Sequence, residues 1–353
     1  MGYGCHSERP LKIGFVGCLT GRLSDLGTAG RNGVMLAVEQ VNQAGGIHGK
    51  PVELIVKDDQ QDPEIAKKVD QELLNDGVVA IIGHMTSAMS VAALPVINAA
   101  KTVMISPTST SNELTGLDDY FFRTGLPDKV QAEQVAQYAR AQGIKSISGV
   151  YDLSNRTFTE TWYLNFQVAF EQAGGTIFTT LTFTSGQEVA YSKLVNQLSA
   201  SLPDGFVFVA GALDTAMLCQ QLKKTGITRP IMSSGWAMTP VLIQQGGASV
   251  EGIILPQTYN EQSKHPAFIE FQRQFEQRFG VKANFAAAGG YGAAQLLIQA
   301  LRETTTPEQI KEAILRQNVL HGLQGDITID QYGDACRETF LFTVTQGQFA
   351  PME

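Results

Sequence analysis

The stretch that most constrains this chain is 79–115, VAIIGHMTSAMSVAALPVINAAKTVMISPTSTSNELT. Val79–Ile82 is a short apolar, β-rich run, and Gly83–Thr86 turns off its end. Ser87 opens an apolar helix to about Ala100, and a second strand, Thr102–Ile105, runs into Ser-Pro-Thr-Ser-Thr-Ser. Strand, helix and strand in that order imply adjacent parallel strands. Both polar turns then lie at carboxyl ends of strands, where α/β sheets take ligands. Ser87, Thr108 and Thr110, with Thr86 beside them, offer short hydroxyls. The helix start offers backbone N–H groups carrying partial positive charge. Together they form a socket suited to a carboxylate. Each residue alone reads equally as an ordinary cap or turn starter. Two hydroxyl-rich turns at neighbouring strand ends are what point to a socket.

The rest of the chain repeats this alternation. Leu11–Val16 is a buried strand, 17–28 a long loop, and Arg31–Asn42 a helix stopped by Ala44-Gly45-Gly46. Pro51–Val56 is the next strand, and Asp62-Pro63 opens a helix ending near Asn75-Asp76-Gly77. After about residue 125 the alternation restarts as a second sheet of similar size would. Strands are expected at Lys145–Tyr151, Thr176–Phe183, Phe206–Val209 and Pro230–Met232, with a polar loop over Asp152–Phe158. Gly252–Pro256 is a further extended run, three helices follow it, and Asp326–Phe349 reads as a small antiparallel addition.

A length of 353 residues suits two domains. A charged fraction of 17% and a net charge of −8 argue against nucleic acid as a partner. No apolar run approaches the ~20 residues that cross a membrane. Cys5, Cys18, Cys219 and Cys336 lie far apart with no CxxC, so no metal site is expected; Cys18 and Cys219 read as buried free thiols. The start, MGYGCHSERP, has no apolar core of a signal peptide. The chain is therefore either cytosolic or lacks a removed leader. Residues 1–10 read as a flexible start, in which Cys5 is either an unmodified thiol or a lipid-attachment site.

No glycine-rich nucleotide loop and no nucleophile elbow is present, so neither a cofactor nor catalysis has motif support. The five histidines are scattered without paired carboxylates, and His84 reads as a turn filler rather than a catalytic base. Asp58, Asp59 and Asp62 could hold a cation, but capping at Asp62-Pro63 is the favoured reading. Asp214, after Val-Ala-Gly-Ala-Leu, is a strand end, a helix cap or a ligand contact.

Several stretches in order resemble one family. They are Gly17-Cys18-Leu19-Thr20-Gly21, Asn32-Gly33, Ala37 through Gly49 (AVEQVNQAGGIHG), Asp58 through Pro63, Asn75-Asp76-Gly77-Val78, Ile105-Ser106-Pro107 and Phe122-Arg123-Thr124. The chain from about residue 11 onward is similar to the type I solute-binding proteins of ABC importers, of the leucine/isoleucine/valine-binding kind. The resemblance implies two Rossmann-like lobes with parallel sheets, joined by three crossover strands near 121–125, 252–257 and 327–335. It places 11–121 plus 258–327 in lobe one and 122–257 plus 328–353 in lobe two. It implies a periplasmic receptor, not an enzyme. Its solute, an amino acid or related carboxylate or amide, would sit in the cleft, and its partner would be a membrane permease. A cytosolic amide or amino-acid sensor of the same fold is the alternative.

By the same resemblance, Ser87, Thr108 and Thr110 grip the carboxylate and amine of an amino acid, and the lobe-two aromatic is Phe158. The amine-binding acid would fall at Gly235 or Trp236, and neither is an acid. Gln61 and Thr86 stand where the family's early disulfide would be. The small run Ala286-Ala287-Ala288-Gly289-Gly290, facing the flat Trp236 and Phe158, points to a bulkier, planar ligand. If Trp236 instead packs in the core, Asp214 is the acid that could meet an amine.

Overall fold

The computed structural model describes residues 9–352, so Cys5 lies outside the described residues. Strands β1 (Leu11–Gly17), β2 (Val52–Asp58), β3 (Ile81–Ile82), β4 (Met104–Ser106) and β5 (Phe121–Arg123) form one parallel sheet. Their order is β2-β1-β3-β4-β5. The chain runs outward from β1 to β2, then returns to place β3 on the other side of β1. That reversal opens a crevice at the carboxyl ends of β1 and β3. Helices α1 (Ser24–Gln43), α2 (Pro63–Asn75) and α3 (Ser87–Ala100) connect these strands.

Helix α1 begins at Ser24, well before the expected Arg31 and inside the expected loop 17–28, and it contains Gly27 and Gly30. Both glycines are there for close approach. A Cβ on Gly27 would lie 2.0 Å from the Cys18 carbonyl oxygen. Asp62 caps α2 as expected, its carboxylate accepting from the N–H groups of Glu64 and Ile65, with Pro63 at the first helical position.

The second unit contains α4 (Asp128–Ala141), β6 (Ser146–Asp152), α5 (Arg156–Gln172), β7 (Thr176–Phe183), α6 (Tyr191–Ser199), β8 (Gly205–Val209), α7 (Ala212–Lys224), β9 (Ile231–Ser233), α8 (Pro240–Gly246) and β10 (Ile254–Gln257). The expected polar loop 152–158 is mostly helical: a short 3₁₀ turn at 153–155 runs straight into α5, which puts Phe158 on a helix. On α5, Trp162, Phe166 and Phe170 recur every four residues. Their rings are stacked at 5.8 and 5.6 Å and fully buried. Burying each large apolar side chain stabilises the unit by roughly 1.5–3 kcal/mol.

The chain then returns to the first unit through α9 (Pro266–Phe279), α10 (Phe285–Leu301) and α11 (Pro307–Gln317). Helix α10 lies directly on α1. A Cβ on Gly33 would be 2.0 Å from the Ala287 carbonyl, and one on Gly290 would be 2.2 Å from that of Gly30. Beyond α11 the tail divides. β11 (Val319–Gly322), β12 (Gly325–Ile329) and β13 (Ala335–Cys336) form a separate antiparallel sheet. β14 (Phe340–Thr345) and β15 (Gln348–Pro351) extend the second sheet, whose order is β15-β14-β10-β9-β8-β6-β7.

The chain thus passes between the units three times: after β5, after β10 and after β13. The first and third passages are tied together. Arg123, fully buried, donates to Asp334 at 2.6 Å, and its N–H donates to the Gly333 carbonyl.

Candidate functional site

Between the two units lies a cleft with about 950 Å³ of space, partly open to solvent. Its floor on one side is the pair of turns after β3 and β4. Thr86, Ser87, Thr108 and Thr110 all line it, as expected.

Their hydroxyls do different jobs. The Ser87 Oγ accepts from the N–H groups of Thr110 and Ser111, at 3.2 and 3.3 Å, and so stitches the start of α3 to the second turn. Its hydrogen remains to be donated. Thr108 Oγ1 donates to the Met85 carbonyl at 2.5 Å, which braces the first turn. The Thr110 hydroxyl has no hydrogen-bond partner among the described residues. Thr86 Oγ1 donates to Gln61 Oε1 at 3.1 Å. The pair expected in place of a disulfide is therefore in contact.

The second unit supplies the opposite wall. Trp236 follows β9 in a short turn, and Phe158 lies in the first turn of α5; both face the cleft. Their rings meet edge-to-face at 5.8 Å and 89°, a favourable aromatic geometry. Of the small run on α10, only Ala288 and Gly289 face the cleft, joined by Gly292. Ala287 and Gly290 are small because α1 packs on them. The run therefore widens the cleft less than its composition implies.

Asp214 does not line the cleft. It is buried and held by Arg22 Nη2 at 2.7 Å, by Ser185 Oγ at 2.6 Å and by the Tyr191 hydroxyl. Its carboxylate is already used, which corrects the expectation that it meets a ligand amine. Arg22 belongs to the first unit and Asp214 to the second, so the pair bridges the lips of the cleft. Beside it Thr239 Oγ1 donates to Asp25 at 2.8 Å. Deeper in, the Ala88 N–H donates to Asn155 Oδ1 at 3.1 Å and Ser111 Oγ to the Thr157 carbonyl at 2.7 Å.

His84 is also corrected. It is fully buried, with Nδ1 2.8 Å from Asp59 and Nε2 3.2 Å from Asp70. Burial opposes its charge, but the two carboxylates outweigh burial and push its pKa up to about 10. The result is an imidazolium clamp holding the β2 and β3 ends onto α2, where no paired carboxylate was legible.

The crossovers and the β11–β12 turn contribute residues that no local motif announces. Gln257, Thr258, Gln324 and Arg337 all line the cleft. Among the described residues, the lining contains no aspartate or glutamate, and Arg337 is its one charged side chain.

The comparisons with known proteins fit this geometry. Residues 10–348 match the family described as "Periplasmic binding protein". This chain belongs to that family. Periplasmic binding proteins of this branch are solute-binding proteins rather than enzymes. The "Leucine-, isoleucine-, valine-, threonine-, and alanine-binding protein" of Pseudomonas aeruginosa is 25% identical, covering 95% of this chain and 89% of the relative. The Leu/Ile/Val-binding protein of Escherichia coli K12 is 25% identical, covering 92% and 88%. A leucine-binding protein of Thermotoga maritima superposes with a TM-score of 0.89 at 25% identity, covering 97% and 98%. The two-lobed α/β fold with parallel sheets is that of the type I periplasmic binding proteins.

Proposed function

We propose that this periplasmic binding protein is the solute receptor of an ABC importer, working outside the cytoplasm and delivering its ligand to a membrane permease. The ligand sits in the cleft, a carboxylate donated to by Ser87 and Thr110 at the start of α3, and its body lies against Trp236 and Phe158. The lobes, 11–121 plus 258–327 and 122–257 plus 328–353, close on it about the three crossovers. Ligand touches both lobes only when they are closed, and that difference in contact is what favours closure.

The curated relatives are named for branched-chain amino acids, and this cleft departs from what a zwitterion needs. One observation carries the reading: the lining holds hydroxyls, amides, aromatic faces and one arginine, but no carboxylate among the described residues. A Trp face can stack on a planar group or cover a cation, yet it does not neutralise an ammonium as an acid does. Leucine would leave its amine short of a partner. The ligand is therefore a larger or planar carboxylate or amide. A thermal-shift panel of leucine, phenylalanine, aromatic carboxylates and short amides tests this. Stabilisation by aromatic carboxylates above leucine is expected, and strong stabilisation by leucine alone would refute it.

A further inference from the structure

Arg337 stands just past β13, on the third passage between the lobes, and reaches the cleft beside Thr258 and Gln324. Its side chain is half-buried. Its Nη2 donates to the Thr258 carbonyl at 3.1 Å, and this is its one side-chain hydrogen bond among the described residues. No carboxylate among them is within ion-pair distance. Asp326 and Glu338 border an outer groove that Arg337 also touches, but Asp326 pairs with His321 at 2.8 Å instead. Burial pulls the guanidinium down to about 10, and it stays charged at neutral pH.

The contrast with Arg123 is instructive. That guanidinium is fully buried, and the protein gives it Asp334 at 2.6 Å. Withdrawing a charge from water without a partner is costly, so buried guanidinium groups are normally neutralised. Arg337 is half-buried at the cleft, and most of its donors have no protein partner among the described residues. Its polar neighbours cannot serve the same purpose. Gln324 closes a ring with the Asn260 backbone, donating to its carbonyl and accepting from its N–H. Gln257 donates to the Gly235 carbonyl and accepts from the Thr258 N–H.

We infer that Arg337 is the receiver for a second anionic group, so that the solute carries an acid at each end: a dicarboxylate or an equivalent dianion. This rests on the reading that Ser87 and Thr110 take the first carboxylate. The two receivers come from different elements, the sheet turns of one lobe and a crossover. A dianion therefore couples the socket to the hinge. A planar guanidinium matches a carboxylate with two parallel hydrogen bonds, which gives direction as well as charge.

The test uses matched probes that differ only in one acid. Terephthalate is compared with 4-carbamoylbenzoate, adipate with its half-amide, and benzoate serves as the monoacid, all titrated by calorimetry into the full chain at fixed ionic strength. At least one diacid should bind about tenfold or more tightly than its half-amide, the gain of a charge-assisted pair. Arg337→Met should weaken each diacid more than its half-amide or benzoate and so erase that preference, and Arg337→Lys should restore part of it. If Arg337→Met fails to fold, the wild-type pairs and Arg337→Lys still decide. Half-amides binding as tightly as their diacids would overturn the inference and leave the carboxylate reading standing. So would equal loss of both classes in Arg337→Met. If no carboxylate in the panel binds, the reading of the cleft fails and the inference falls with it.

Discussion

Replacing Thr110 with valine removes one hydroxyl and keeps the shape of the side chain. Among the described residues that hydroxyl bonds to nothing in the protein, so stability should change by no more than about 0.5 kcal/mol. If the hydroxyl donates to a ligand carboxylate, its loss removes a charge-assisted hydrogen bond worth about 1.5–3 kcal/mol. Affinity should then fall roughly tenfold to a hundredfold. Ser87→Ala is the contrasting case. Its oxygen accepts from two backbone N–H groups, at 3.2 and 3.3 Å, that join the two turns. Losing it should cost about 1–2 kcal/mol of stability as well as affinity, because those donors lose a partner and solvent compensates only in part. Calorimetric titration of the strongest ligand of the panel, with urea unfolding of the same variants, separates the effects. Unchanged affinity in Thr110→Val would refute the socket and leave these residues as turn braces.

Arg22→Met should weaken the bridge across the lips; because Arg22 is partly exposed, the loss of closure is about 1–2 kcal/mol. Stopped-flow release should quicken about five- to thirtyfold with little change in association, and an unchanged release rate would mean the bridge is not part of closure. Arg123→Met strips Asp334 of its buried partner and should destabilise by about 3–5 kcal/mol in urea unfolding, where a loss under about 1 kcal/mol would contradict the pairing. The His84 clamp sets a pH dependence. The folded state holds that proton up to about 10, whereas an unfolded histidine releases it near 6.5, so the folded state binds more protons between those values. The clamp's contribution is complete below about pH 6.5 and fades as pH rises toward about 10. Asp70→Asn removes one of the clamping charges and lowers the folded pKa, so the fading should end at lower pH and be smaller in total; identical pH curves for the two proteins would argue against the clamp.

Much of the fold was legible because its signals are local. Strand–turn–helix alternation, the Asp62-Pro63 cap and the Ser87 helix start follow from neighbouring residues alone. The two turns that line the cleft were legible for the same reason, since Ser87 and Thr110 sit where their own strands place them. The start of α1 lies inside the expected loop 17–28, because its glycines serve close approach to the Cys18 carbonyl and to α10, contacts that only the packed structure shows. The His84 clamp joins residues 14 and 25 positions apart, and the Arg22–Asp214 bridge joins residues 192 apart. No periodicity carries such pairings. Arg337 was invisible in another way. A lone arginine between two short strands has no motif, and its lack of a carboxylate partner is a property of the packed cleft.

The most direct test of the account is the chemical identity of the solute that occupies the cleft in the cell. Native mass spectrometry of protein purified gently from its own host should show one small molecule per chain, and release followed by tandem mass spectrometry should identify it. The account predicts a carboxylate or amide that carries no ammonium group. A branched-chain amino acid bound one to one, or a solute of net positive charge, would contradict it.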